Sequence, residues 1–270
     1  MTATILYIPH GGGPLPLINA PDHPGHAAMV RFLKDAGQTL PRPDAVLVIS
    51  AHWERDIPVI TSGPSPELIY DYYGFPEAAY TIQYPAQGAP DLASKIHNHL
   101  SDAGIKTKLD GNRGFDHGVF IPLKLMYPKA DIPCVQMSLT ADLDPGAHLK
   151  AGRALQPLAC ENILILGSGF SFHNMGAFNL SGQATKDPEN QAFQDWLAKT
   201  LSDPDLSPQD REDLLLRWEY APNARYCHPR EEHLLPLHVC AAAAGFAKAK
   251  VTFKNHVIGK LAQAFCWETA

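Results

Sequence analysis

The residues Ala45-Val46-Leu47-Val48-Ile49-Ser50 form an unbroken apolar and β-branched run that leads into Ala51-His52-Trp53. A run of this kind predicts a strand that is covered on both faces, as in a parallel sheet. Similar short runs predict further strands at Thr4–Ile8, Pro58–Thr61, Ile132–Met137, Asn162–Leu166 and Lys250–Phe253.

Segments of helical composition and length alternate with these strands. They are Pro24–Ala36, Asp91–Ala103, Gly146–Cys160, Asn190–Leu201, Gln209–Trp218 and Arg230–Phe246. Gly104 and Gly245 stand where C-terminal caps are expected. The alternation predicts an α/β fold with a mixed, mostly parallel central sheet flanked by helices. Because the sequence shows no linker and no repeat, we expect residues 1–270 to form a single domain.

Composition excludes several classes of function. The formal net charge of −6 lacks the basic excess that binding to nucleic acid requires. Residues 1–9 carry no basic signal-peptide region, and the apolar stretch Leu237–Ala247 is too short to cross a bilayer. We therefore expect a cytoplasmic protein with no membrane partner. The five cysteines are scattered without a C-x-x-C pair, which favours free thiols over a disulfide framework or a zinc ribbon.

Two histidines follow predicted strands. His10 comes directly after the first strand and is followed by Gly11-Gly12-Gly13, which allows the backbone to wrap closely around a ligand or ion. His52 ends the second strand in an equivalent position. Ligands of α/β proteins bind beyond the carboxyl ends of the strands, so these two side chains are predicted to converge.

Two more histidines lie in similar surroundings. His173 follows an apolar strand and a glycine-rich turn, and it is a candidate metal ligand or acid/base. His117 lies in a loop before a probable helix, beside Asp116. The alternative for this loop is that Asp116 caps the helix and His117 is merely exposed.

The segment from Cys227 to His238 contains three more histidines, His228, His233 and His238, together with Glu231 and Glu232. Their five-residue spacing places them on different faces of a helix, so one or two of them reach a common ion. The glutamates are candidate ligands or simply acidic residues at a helix start. The H-E-x-x-H pattern of zinc proteases is absent from the sequence. An all-histidine set suits zinc as well as iron, and the residues alone do not choose the metal.

Several motifs in fixed order resemble a known family. Pro9-His10-Gly11-Gly12-Gly13-Pro14, Ile49-Ser50-Ala51-His52-Trp53, Phe115-Asp116-His117-Gly118 and Glu232-His233-Leu234-Leu235-Pro236-Leu237 resemble the class III extradiol ring-cleavage dioxygenases of the LigB type. Asp71-Tyr72-Tyr73-Gly74-Phe75-Pro76 is similar to the DOPA 4,5-dioxygenase branch. The resemblance extends from His10 to about Pro236.

The resemblance implies a site and a reaction. His10, His52 and His233 would hold Fe²⁺, with Zn²⁺ as the alternative ion. His173 would move protons to and from a small aromatic diol that reacts with O2, and His117 would stabilise charge or position this substrate. The larger LigAB-type enzymes have a glutamate as third ligand, so assistance from Glu232 or His228 stays open. Trp53, Phe172 and Tyr226 are either walls for the flat ring or core residues.

Two other functions are compatible with the same residues. A zinc hydrolase would use the histidines to activate a bound water. A Memo-like binding protein would share the fold without catalysis, although such a protein has no need of an open metal site with acid/base residues. Arg225 or Arg230 could bind a substrate carboxylate, and both a monomer and a homodimer remain compatible with the sequence.

Overall fold

The computed structural model describes residues 4–268, and within that range eight strands form one sheet. The strands are β1 (Thr4–Pro9), β2 (Ala45–Arg55), β3 (Val59–Thr61), β4 (Lys108–Asp110), β5 (Cys134–Thr140), β6 (Ile163–Gly169), β7 (Lys250–Val257) and β8 (Lys260–Glu268). Their order across the sheet is β4-β3-β5-β2-β6-β1-β8-β7. The four central strands, β5, β2, β6 and β1, are parallel, whereas β8 and β7 add an antiparallel edge. The predicted fold class is confirmed.

Helices cover both faces of the sheet. They are α1 (Leu15–Ile18), α2 (Ala27–Thr39), α3 (Pro90–Asp102), α4 (His117–Met126), α5 (Pro145–Ala154), α6 (Pro188–Ser202), α7 (Pro208–Leu216), α8 (Ala224–Cys227) and α9 (Leu235–Ala243). Along the part of the chain that the structure describes, none of these helices is long and apolar enough to cross a membrane.

Some boundaries differ from the predictions for identifiable reasons. The helix expected from Gly146 ends at Ala154 and continues as a 3₁₀ helix over Gln156–Cys160, because Pro157 has no N–H for an α-helical bond. The helix expected from Arg230 begins only at Leu235. Pro236 then lies in the first turn, where a helix tolerates proline because the N–H groups there have no intrahelical partner. Strand β8 was not predicted, since its alanines and glutamine give no strand signal.

Glycines allow elements to approach closely around the central strand β6. A Cβ on Gly167 would lie 2.8 Å from the carbonyl oxygen of Pro236 in α9. A Cβ on Gly169 would lie only 2.2 Å from the carbonyl oxygen of His233. Without side chains at these positions, the segment that carries His233 packs directly on the end of β6. The predicted caps Gly104 and Gly245 both have positive φ, of 70° and 62°.

Candidate active site

A cavity of about 410 Å³ opens beyond the carboxyl ends of the central strands. Five histidines line it: His10, His52, His117, His173 and His233. They come from five separate segments of the chain, and the structure brings all five sequence-predicted site residues to one place.

His10 and His52 approach each other across β6. Strands β1 and β2 are not neighbours, because each pairs with one side of β6. The pairing of β2 with β6 ends at Ser50, and its register against β5 shifts between Ile49 and Glu54. His52 lies in this irregular segment, so β2 runs on to Arg55 instead of ending at His52 as predicted. The Nε2 atoms of His10 and His52 are 2.9 Å apart.

Ser168 fixes the protonation of His10. Its hydroxyl donates to the carbonyl oxygen of Gly118, so at the 3.1 Å contact with His10 it accepts from the Nδ1–H. A neutral imidazole that donates through Nδ1 keeps a lone pair on Nε2. The Nε2 of His10 is therefore available as a ligand atom.

Asp71 orients His117, and this role was not predicted. One carboxylate oxygen, Oδ1, accepts from the Nδ1–H of His117 at 2.8 Å and from its backbone N–H at 3.0 Å. The second oxygen lies 4.0 Å from Nδ1 of His52. Burial raises the pKa of the Asp71 carboxyl, but the hydrogen bonds and charges of His117 and His52 outweigh it and the pKa lies below its usual value. Asp71 is thus ionised at neutral pH.

The Asp116 cap proposed as an alternative for His117 is wrong. Asp116 is fully buried and makes no side-chain cap bond to α4. It accepts instead from the hydroxyl of Ser50 at 2.7 Å and from the side chains of Gln136 and Arg113. His117 is the first residue of α4 and is 6% exposed, so it is not a surface histidine.

Glu232 links His173 to His233. Its Oε1 atom lies 2.9 Å from Nδ1 of His233 and 3.0 Å from Nδ1 of His173. The two imidazole rings stack, with centroids 3.3 Å apart and planes at 17°. Because a carboxylate only accepts, Nδ1 of His233 carries the proton of this hydrogen bond and its Nε2 keeps a lone pair; the contact with His173 is an ion-pair distance without hydrogen-bond geometry. The sequence had left open whether Glu232 or His228 assists the metal; Glu232 lies beside two of the cavity histidines, whereas His228 does not line the cavity.

Burial keeps the candidate ligands neutral. The pKa values of His10, His52 and His233 lie well below the usual 6.5, first because burial penalises the charged form and then because other histidines are close. Neutral imidazoles with free lone pairs are the form that binds a divalent ion.

The ligand atoms of the described residues fall into two groups of three. One is His10, His52 and His117, and the other is His173, Glu232 and His233; within each group the ligand atoms lie within 4.8 Å of one another. The three ligands predicted from the resemblance, His10, His52 and His233 (the predicted trio), include members of both groups. The ring centroid of His233 lies 5.2 Å from that of His10 and 4.9 Å from that of His52. The first group therefore offers a donor set that fits a metal ion, and it shares His10 and His52 with the predicted trio; the predicted trio is not itself one of the two groups among the described residues.

Three aromatic residues considered as walls belong to the core instead. Trp53 is 2% exposed beneath the guanidinium of Arg113, Phe172 is fully buried, and the Tyr226 hydroxyl donates to Asp187. The aromatic residues that do line the cavity are Tyr72, Tyr73, Phe75, Phe170 and Phe178. They belong to two loops, and loops have no regular periodicity from which the direction of a side chain could be predicted.

His228 and the two arginines considered for a substrate carboxylate do not line the cavity. His228 is buried, with Nε2 3.0 Å from the carbonyl oxygen of Ser171. Arg225 pairs with Glu231 at 2.6 Å. Arg230 makes two bonds to the carboxylate of Glu54, at 2.7 and 2.5 Å.

Comparisons with known proteins agree with this geometry. Residues 4–265 match the family model described as the catalytic LigB subunit of aromatic ring-opening dioxygenase. The chain is 38% identical to the dioxygenase tasH of Hapsidospora irregularis, over 98% of this chain and 85% of that one. It is 40% identical to a 4,5-DOPA dioxygenase extradiol of Beta vulgaris, over 76% and 74%. The crystal structure of an uncharacterized protein from Escherichia coli K12 superposes with a TM-score of 0.79 at 27% identity, covering 98% of this chain and 99% of that one.

Proposed function

Because the chain belongs to the LigB family and is an extradiol dioxygenase, we propose that it opens the ring of a catechol with O2 at a ferrous ion held by His10, His52 and His233. The observation that carries the proposal is the protonation pattern of the site. Three of the five imidazoles, those of His10, His117 and His233, make a hydrogen bond through Nδ1 to an acceptor. Nδ1 of His173 lies 3.0 Å from the Glu232 carboxylate, and His52 meets His10 through Nε2.

A bound ferrous ion would supply a common point of attachment for the two diol oxygens and O2. Neutral imidazoles also suit zinc, so the iron is part of the proposal. Ring opening inserts both oxygen atoms of O2 and breaks one carbon–carbon bond beside the diol. The product contains every atom of both reactants, and the reaction needs no external reductant.

His173 is proposed to take a proton from the catechol and later return one. The Glu232 carboxylate lies 3.0 Å from Nδ1 of His173, and its charge favours a proton on this atom, which leaves Nε2 as the proposed basic atom. The same carboxylate oxygen also holds His233. A movement of Glu232 would therefore disturb the metal ligand and the proton carrier together.

His117 is proposed to act on the substrate and not on the metal. Its Nδ1 proton is held by Asp71, and its ring lies 5.7 Å from that of Tyr72 in the cavity wall. This position suits a group that orients the flat substrate and stabilises charge on its oxygens.

Two alanine variants test the division between ligands and substrate-facing groups. Protein reconstituted anaerobically with Fe²⁺ should consume O2 with catechols and form a yellow product. His233→Ala should lose both bound iron and activity. His117→Ala should keep its iron and lose turnover.

Other results would count against the assignment. If His117→Ala loses its iron and His233→Ala keeps it, the third ligand is His117 and not His233. No O2 uptake on any catechol, together with tight zinc binding and hydrolysis of ester substrates, would replace the dioxygenase by a zinc hydrolase. An inert protein that binds no metal would favour a binding role.

A further inference from the structure

The mouth of the active-site cavity carries three large apolar side chains that are strongly exposed. Tyr73 is 91% exposed, Met175 71% and Leu180 76%. All three line the cavity. Tyr73 belongs to the loop between His52 and His117, and Met175 and Leu180 belong to the segment that follows His173. Apolar side chains left in water around a concave site indicate contact with an apolar part of a ligand.

Within residues 4–268, the cavity offers no lysine or arginine side chain to a charged substituent of the substrate. Among the described residues that line it there is neither a lysine nor an arginine, and the one carboxylate, Asp71, is occupied by His117. The lining is otherwise made of histidines, glycines and apolar or aromatic residues. A substrate carboxylate would therefore find no cationic side chain to pair with, and it would lose part of its hydration wherever it touches the apolar lining.

Two cationic side chains that lie outside the cavity lining are already paired. Lys260 lies 2.5 Å from Asp187 and is 6% exposed. Arg230 is held by two bonds to Glu54. Moving either toward the mouth would break an ion pair that the structure has already formed.

We infer that the enzyme selects a catechol with an uncharged, apolar substituent over catechols that carry a carboxylate or an amino-acid side chain. The inference rests on the proposed function, since it takes the diol to lie at the five histidines. The substituent then points to the mouth, where Tyr73, Met175 and Leu180 cover it. DOPA, which appears in the names of several relatives, is on this reading a poor substrate for this chain.

A pair of substrates of nearly equal size tests the inference. 4-Propylcatechol and 3-(3,4-dihydroxyphenyl)propionate differ mainly in a terminal methyl against a terminal carboxylate, and DOPA adds an ammonium group. With the iron-loaded enzyme, kcat/KM for 4-propylcatechol should exceed that for the propionate by about 10-fold or more. This follows from the gain on burying each CH2 group and from the cost of an unpaired charge.

Placing a cation at the mouth should reverse the preference. Leu180→Arg should raise the ratio of kcat/KM for the propionate to that for 4-propylcatechol by about 10-fold, because it supplies the missing partner. Leu180→Gln is the matched control: it removes the same apolar contact without adding a charge, so it should raise this ratio by only about two- to fourfold, less than Leu180→Arg. Leu180 is largely exposed, so neither substitution disturbs the core.

Equilibrium binding without O2 separates the two proposals. If the enzyme opens no catechol but still binds 4-propylcatechol more tightly than the propionate, the proposed reaction fails and the selectivity stands. If it opens the propionate or DOPA as well as 4-propylcatechol, the reaction stands and the selectivity is refuted. An unchanged substrate ratio in Leu180→Arg would also refute it.

Discussion

Replacing Asp71 isolates the orientation of His117 from the rest of the site. Oδ1 of Asp71 accepts two hydrogen bonds from this one residue, at 2.8 and 3.0 Å, and the carboxylate side chain is 22% exposed. Asp71→Asn keeps an oxygen that can accept both bonds and removes the charge. Asp71→Ala removes both bonds and leaves two donors without an acceptor.

The expected losses follow from the strength of these bonds. A hydrogen bond to a charged group is worth roughly 1 kcal/mol more than a neutral one, and partial exposure reduces this difference. Asp71→Asn should therefore cost about 1–2 kcal/mol of transition-state stabilisation, or roughly 5- to 30-fold in kcat/KM. Asp71→Ala should cost about 3 kcal/mol, which is roughly 150-fold.

The assay is O2 uptake by iron-loaded protein on 4-propylcatechol, with bound iron measured on the same samples. Iron content should stay near the wild-type level, since the contact of Asp71 with His52 is 4.0 Å long. Asp144→Asn is the control: Asp144 caps α5 through the N–H of Ala147, and asparagine caps a helix equally well. Activity within twofold of wild type in both Asp71 variants would refute the orienting role.

Three other substitutions test parts of the same framework. Glu232→Ala should lower kcat and weaken iron binding by about 10-fold or more, because Glu232 contacts both His173 and His233. Metal titration and O2 uptake on one sample measure the two effects. A change in only one of them would contradict the shared role. Gly169→Ala should lower the unfolding free energy by about 2 kcal/mol and weaken iron binding, because the new Cβ would meet the carbonyl oxygen of His233. Denaturant unfolding measures the change in stability, and an unchanged midpoint would contradict this prediction. Lys260→Met should cost roughly 1–3 kcal/mol at pH 7 by leaving the partly buried carboxylate of Asp187 without its cation. Burial raises the pKa of Asp187, but its hydrogen bonds and Lys260 lower it overall, so this carboxylate stabilises the fold at neutral pH and ceases to do so as the pH falls through the lowered pKa; a Lys260→Met protein with wild-type acid sensitivity would contradict this.

The sequence predicted the elements that carry their own local signal. The apolar runs of β1, β2 and β6 identify buried parallel strands, and the carboxyl ends of such strands converge. His10 and His52 could therefore be placed together from the sequence. His117 and His233 needed the family resemblance, because neither follows a strand.

The groups that hold the histidines could not be predicted. Asp71 lies in an irregular loop and meets His117 only through tertiary contacts. Ser168 is one of two serines beside the glycines of β6, and only the path of the chain shows that it contacts His10. The aromatic residues of the cavity wall could not be predicted for the same reason, because they lie in loops. Strand β8 is a strand because β1 and β7 pair with it, and not because of its composition.

The position of β6 between the two strands that carry His10 and His52 determines when the site can form. Leu164 pairs with Thr4 on one side and with Val46 on the other, so the two early strands are joined by a segment synthesised much later. Pairings so distant in sequence form slowly. A nascent chain therefore exposes both histidines long before it can bring them together, and the proposed metal site is complete only after the centre of the sheet has closed. If the proposed iron binds only the folded chain, adding it should slow unfolding and leave the rate of refolding unchanged.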